Sequence, residues 1–454
     1  MTRNAKTGQA RSPWLRWTRR IAVAVLVLFV LALLVLAFWL RGPLYNRFIL
    51  FPRQARAWQA IRDARVPVPR QHGWKDYRGF CHSHSEFSHD CEVPFTRIAE
   101  VMKETGCDFA FMSDHCVDGE ADYGLQWRGI KDGMLFVAGF EMNDGFMPWG
   151  LPPDTVLDCG ADPKDLAKQI DDLGGMLFFA HCEEPRHWEL PQLVGMEIYN
   201  IHTDFKDENF ADLAPYILLS IAAYPDQAFR LLFDRQTDLL ALWDELNLTR
   251  KIVGIAANDC HQNNGIRAKY TERGTLLIED TSPDEIGEYG MNPFSRFLIR
   301  ILFGKPEPGK EVFHFQLDPY ERMVRFVNTH LLAKELTEEA LLDALRQGRA
   351  FIGFDMIADS AGFIWLAQGG QEQAVMGECI PYAAGIRLAA ASPHRCRFTI
   401  LCQGKTVYQE EGTEVTFKPD GPGKYRVEAE LDILGEWTPW VYTNPIELTP
   451  PRAS

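Results

Sequence analysis

From about residue 76 the chain alternates short apolar runs with amphipathic stretches. The runs are Tyr77–Phe80, Phe109–Met112, Met134–Ala138, Met176–Ala180, Met196–Tyr199, Ile252–Ala257 and Thr275–Ile278. Short runs that are apolar at successive positions are the mark of buried parallel strands, covered on both faces. Helical patterns lie between them. In Val93–Thr105, Ile98, Val101 and Met102 share one face and Gly106 supplies the stop. Pro163–Leu173 follows Asp162, a good N-cap, and has Pro163 at its first position; Leu232–Leu246 reads similarly. Such strand–helix repetition predicts an α/β fold, most simply a barrel of seven strands.

The pattern changes at both ends. From roughly residue 370, Arg397–Leu401, Val415–Phe417 and Tyr425–Leu431 alternate apolar with polar positions, separated by Gly412 and Asp420-Gly421-Pro422-Gly423. This predicts a small antiparallel β-sandwich as a separate domain, residues 366–454. Residues 41–75 read as a connector broken by Pro43, Pro52, Pro67 and Pro69. Before it, Ile21–Leu40 holds twenty residues without a charge or a proline. That length crosses a bilayer core of roughly 30 Å as one helix. A retained anchor is favoured over a signal peptide, because no small-residue cleavage site follows. Residues 1–20 form a basic tail with Arg3, Lys6, Arg11, Arg16, Arg19 and Arg20 and no acid. The expected topology is single-pass, with a cytoplasmic N-terminus and an extracytoplasmic body, although Arg41, Arg47, Arg53 and Arg56 weaken the bias. One more segment stands apart. Asn292-Pro293 opens a helix whose Phe294, Phe297, Leu298, Ile301 and Leu302 share a face, with Arg296 and Arg300 interspersed. Packing on the barrel is its favoured reading; a place on the membrane surface is the other.

Composition narrows the classes. An apolar fraction of 46% and a charged fraction of 24% describe an ordinary globular protein, neither disordered nor polytopic. A net charge of −15 argues against non-specific nucleic-acid binding, so no nucleic-acid partner is expected. The ten cysteines include no C-x-x-C pair, which leaves a zinc ribbon or thioredoxin-type site without support. An extracytoplasmic body would permit disulfides, with pairing open. Asn247-Leu248-Thr249 fits a glycosylation acceptor, a frequent chance match.

Chemistry concentrates just after the strands. The first is followed by His82, His84 and Ser88-His89-Asp90, the second by Ser113-Asp114-His115, the third by Gly139-Phe140-Glu141, the fourth by His181 and the sixth by Asp259-Cys260-His261. In a parallel α/β fold these loops open on one mouth. Singly, each residue is more often a satisfied polar group than a ligand. Five strand ends in register, each offering His, Asp or Glu, point to bound divalent cations such as Zn, Mn or Fe. So many donors exceed the needs of one ion, and a carboxylate such as Glu141 can bridge two.

In that order, H-x-H, S-x-D, S-D-H, G-x-E, a strand-final His and D-x-H resemble the PHP (polymerase and histidinol phosphatase) superfamily over residues 76–265. The resemblance implies a distorted (β/α)7 barrel, here residues 76–365, with two or three metal ions that hydrolyse a small phosphorylated substrate through a metal-bound hydroxide. Carried over by position, His82, His84, Glu141 and Asp259 resemble the first ion's ligands, Glu141 and His181 the second's, and Asp90, His115 and His261 the third's. Leu341–Phe354 and Pro439–Ile446 resemble family members that carry an appended β-domain. The pattern departs in one place: many relatives have another His between the Glu and the strand-final His, and residues 142–180 hold none, which leaves either Asn143 or Asp144 as a substitute or a weakly held second ion. The offset from His84 favours Asp90 over His89. Arg267 is a candidate phosphate-binding cation, and His202 a candidate proton donor to the leaving group. Cys81, Cys91, Cys116, Cys182 and Cys260 neighbour the ligands and read as packing residues or disulfide partners. The competing class is a metal-stabilised binding or assembly protein whose β-domain recognises a partner or glycan; an amide or phosphodiester hydrolase is a third reading.

Overall fold

The computed structural model describes residues 13–69, 72–281, 285–305 and 307–451. The tail residues Arg3, Lys6 and Arg11 lie outside that range. Two compact units divide the chain. The first comprises residues up to Ala55 and Asn209–Leu231. Its longest element is the helix Pro13–Trp39. Within it, Trp17–Trp39 has a mean hydropathy of 3.4 and no buried part. It is one long apolar helix near the N-terminus, a candidate membrane span or signal sequence. An irregular connector does not follow. Arg41–Tyr45, Asn46–Leu50 and Phe51–Asp63 are all helical and follow one another directly, so Pro43 and Pro52 lie within a helical run and do not end it.

The second unit comprises Arg56–Glu208 and Leu232–Ser454. Its framework strands are β1 (Lys75–Ser83), β2 (Phe109–Phe111), β3 (Met134–Val137), β4 (Phe146–Trp149), β5 (Met176–Phe179), β6 (Leu193–Asn200), β7 (Val253–Cys260), β8 (Asn328–Ala333) and β9 (Ala350–Gly353). Hydrogen bonding runs β3-β2-β1-β7-β6-β5 in parallel, with β4 antiparallel on β5. An isolated bridge joins Gly139, just after β3, to Trp149 at the end of β4. Residues two apart on these strands, such as Phe109 and Phe111, Leu135 and Val137, Met147 and Trp149, Met176 and Phe178, and Val253 and Ile255, share one buried cluster. The helix Glu338–Gln347 adds Leu341, Ala344 and Leu345 to it. The fold is mixed α/β.

Local signals hold where they were strongest. The helix Phe95–Thr105 buries Ile98, Val101 and Met102 and ends on Gly106 at φ 72°. Asp162 caps Pro163–Asp172 by accepting from the amides of Lys164 and Asp165. Two strand assignments change. Thr275–Ile278 belongs to the strand Thr275–Asp280, which has no fully buried residue and lies in a separate four-stranded antiparallel sheet. The antiparallel β4, hidden in the sequence by its Pro148, joins the framework instead. Toward the C-terminus, β8 pairs with β1, β9 with β8, and Glu436–Thr443 with β9, so the later strands continue the hydrogen-bonded sheet. Asn247 is buried, and its amide donates to the carbonyls of Trp243 and Ile252, each at 3.0 Å, which leaves no acceptor for a glycan. The helix Pro293–Phe303 has no buried residue, so packing of its apolar face on the body fails.

Candidate metal centre

Strand ends deliver the chemistry, and the backbone is bent to do it. His82, His181 and Asp259 adopt left-handed conformations, at φ 57°, 47° and 48°. Residues with a Cβ avoid that region unless the surroundings hold them there, and such strain gathers at functional sites. At His82 the β1–β7 register shifts between Cys81 and Ser83. His82 and His84 therefore converge through a bulge rather than through the regular pleat. Gly139, which precedes Phe140-Glu141, touches the Trp149 ring so closely that a Cβ would lie 2.2 Å from it, and 2.5 Å from the Met112 carbonyl oxygen. That contact is the physical content of the G-x-E pattern.

All eight sequence-selected His, Asp and Glu residues meet. Glu141 approaches His82 Nε2 (3.2 Å), His84 Nε2 (3.6 Å), His115 Nδ1 (3.5 Å) and His181 Nε2 (3.1 Å). Asp259 approaches His82 Nε2 (3.4 Å), His84 Nε2 (3.3 Å), His181 Nε2 (3.4 Å) and His261 Nδ1 (3.2 Å). Asp90 reaches His261 Nε2 (3.2 Å) and His115 Nε2 (3.6 Å). His89 is exposed and outside the clustered donors, so Asp90 is the member that the S-x-D segment contributes. Overlapping groups form: His84-Asp90-His115-His261, His82-His84-Glu141, His82-His181-Asp259 and His202-Asp259-His261, with donor atoms within 4.8 Å of one another in each.

The donors suit divalent cations. His84 Nε2, His261 Nε2, Asp90 Oδ1 and Asp259 Oδ1 are buried without a hydrogen-bond partner. Leaving such groups bare costs about 1–3 kcal/mol each, which a shared cation would offset. Two ligands each roughly 2.1 Å from one ion stand about 3.0–3.4 Å apart, close to the 3.1–3.6 Å that these pairs keep. Electrostatics agree. Burial, with the neighbouring His261, holds the His84 imidazole well below its ordinary pKa, so its lone pair is free. Burial alone would raise the Glu141 and Asp259 carboxyls, but positive charge at His82 outweighs it and keeps both ionised, a part that a bound cation would take over once His82 offers it a lone pair.

Buried polar groups behind them orient these side chains. Glu197 on β6 accepts from His82 Nδ1, from the His181 amide (2.9 Å) and from Asn200 Nδ2 (3.0 Å). Sequence reading passed over Glu197; its signal was a lone carboxylate inside the apolar run Met196–Tyr199. Ser88 Oγ meets His84 Nδ1 at 2.9 Å and donates to Asp114, which also takes the Ser85 amide and hydroxyl and the Gln126 amide. The Ser and first Asp of those motifs thus hold the loop. Asn143 and Asp144 are exposed; the acid beside His181 is Glu183, 3.5 Å from its Nδ1.

The two remaining candidates part ways. His202, at the start of the helix Ile201–Asp207 that Asn200 caps, places Nδ1 3.1 Å from Asp259 Oδ2 with its side chain 26% exposed. Arg267 lies on Gly265–Tyr270, its guanidinium bound to Glu92 (2.8 Å) and Glu279 (2.9 Å), so its charge is neutralised. A disulfide links Cys116, next to His115, to Cys159; Cys81, Cys91, Cys182 and Cys260 are free and buried.

No family model matches the sequence, and no curated protein does. Among solved structures, a two-domain protein from Bacteroides vulgatus ATCC 8482, described as containing a predicted PHP-like metal-dependent phosphoesterase, is similar at 14% identity with a TM-score of 0.38, over 85% of this chain and 98% of that one. A likeness at that TM-score decides neither fold nor reaction.

Proposed function

We propose that this chain is a metal-dependent phosphoesterase tethered to a membrane by its N-terminal helix. The observation that carries the reading is the convergence of eight donor residues from five strand ends into one cluster, Glu141 and Asp259 among them, with buried donor atoms lacking partners. The ordered motifs that resemble the PHP superfamily supply the bond type. The Gly139–Trp149 bridge and the shared inner cluster support reading the seven strands as a distorted barrel with this site at its mouth. The Cys116–Cys159 disulfide favours an oxidising, extracytoplasmic setting for the body.

His82, His84, Glu141, His181 and Asp259 would hold two ions between them, and Asp90, His115 and His261 would hold a third. The imidazole and carboxylate set suits Zn, Mn or Fe. Bound divalent ions supply Lewis acidity, activating water at neutral pH and countering charge on phosphoryl oxygens. The chain's own groups position and exchange protons. Glu197 fixes the His82 ring with its Nε2 facing Glu141 and Asp259. His202, partly exposed and braced on Asp259, is placed to give a proton to the leaving oxygen. With the Arg267 charge taken by two carboxylates, phosphate recognition falls to the cations themselves.

The test is elemental analysis of the purified full chain, coupled to a screen of phosphate monoesters, diesters and amides with added Mn, Zn or Fe. Asp259→Asn should remove both bound metal and ester hydrolysis while the protein stays folded. A folded preparation that takes up no divalent metal, or an Asp259→Asn variant as active as the parent, overturns the proposal.

A further inference from the structure

The helix Pro293–Phe303 presents an apolar face to open surroundings. Phe294, Phe297, Leu298, Ile301 and Leu302 recur at helical spacing and are 72%, 60%, 44%, 62% and 62% exposed. Asn292 caps the helix by accepting from the Ser295 amide, and Gly304 at φ 86° ends it, so the exposed face belongs to a properly formed element. It is anchored from behind, where the Phe303 ring meets Phe313 of Glu311–Gln316. A surface helix normally hides such a stripe. Here it is turned outward.

Charge indicates what covers it. In a chain of net charge −15, residues 292–305 contain Arg296, Arg300 and Lys305 and no acid. A second copy of so acidic a protein gains little from these cations; an anionic lipid headgroup gains a good deal. A cationic helix with Phe and Leu on one side matches an element that lies in the headgroup plane of a bilayer. The chain also carries Trp17–Trp39, a candidate membrane span, so a bilayer is the surface at hand.

We infer that Pro293–Phe303 is an interfacial helix, its Phe and Leu face inserted among lipids and its arginines on anionic headgroups. Each cation near an anionic surface favours docking by about fivefold, so loss of both arginines weakens it by about 25-fold. This reading is independent of the hydrolytic chemistry.

Hydrogen exchange on the full chain in phosphatidylcholine nanodiscs, with and without phosphatidylglycerol, tests it. The peptide 292–304 should exchange at least about tenfold more slowly in the anionic discs, and the gain should vanish in Arg296→Gln/Arg300→Gln. Phe297→Asp/Ile301→Asp should remove protection in both disc types. Equal exchange in the two discs, or protection that survives the arginine variant, overturns the inference, as does protection that rises with protein concentration in lipid-free amphipol, the sign of a second copy. Residues 21–40 serve as the internal reference: if they are protected and 292–304 are not, docking fails while anchoring stands.

Discussion

Glu197→Gln tests how the site is organised, through a residue expected to touch no substrate. One Glu197 oxygen faces His82 Nδ1; the other takes the His181 amide and the Asn200 side chain. Glutamine keeps the shape but has one acceptor and one donor. If its oxygen stays with His181 and Asn200, its NH2 faces His82 Nδ1, which must then become the acceptor. The His82 proton moves to Nε2, the atom 3.2 Å from Glu141 and 3.4 Å from Asp259, and the lone pair that a cation needs is lost. If the amide flips, the His181 and Asn200 bonds fail instead. Second-layer changes of this kind cost about 10–100-fold in metal affinity, or about 1.4–2.7 kcal/mol. Competition against a chelator of known affinity, with metal counted by elemental analysis, reads that loss directly, and ester hydrolysis should fall with it. Folding should survive, because the buried charge is replaced by a neutral group of the same size. Metal affinity within about twofold of the parent would refute the tautomer argument.

Two further outcomes follow from the geometry. Gly139→Ala puts a methyl 2.2 Å from the Trp149 ring and should cost about 1–3 kcal/mol while displacing Glu141; an unchanged melting temperature with full metal content would contradict it. His330 on β8 lies between Asp76 (2.8 Å) and Asp355 (3.0 Å). Burial alone would lower its pKa, but those carboxylates raise it to about 10. A raised histidine stabilises the fold fully below its unfolded pKa of about 6.5, and that contribution is lost as pH climbs through the folded value. Urea unfolding from neutral to about pH 10 should therefore show the parent losing a few kcal/mol more than His330→Gln; parallel curves would sink the assignment.

The clustered donors were legible in the sequence because all but Asp90 stand within four residues of a short apolar run, and parallel strands send the loops after them to one end. The Trp17–Trp39 helix and the Gly106 and Asp162 caps were legible too, since length, hydropathy and capping chemistry are local. Tertiary structure decided the rest. A proline disguised β4, and only its pairing with β5 gives it a place in the sheet. Arg267 looked like a free cation until Glu92, 175 positions earlier, came to meet it. Glu197 read as an oddity in an apolar strand until His82 lay beside it. Whether a charge is available depends on what folds against it, and contacts across such separations leave no local trace in the chain. The Pro293–Phe303 face follows the same rule: its amphipathic period was visible, but only the folded body could show that nothing within it was buried.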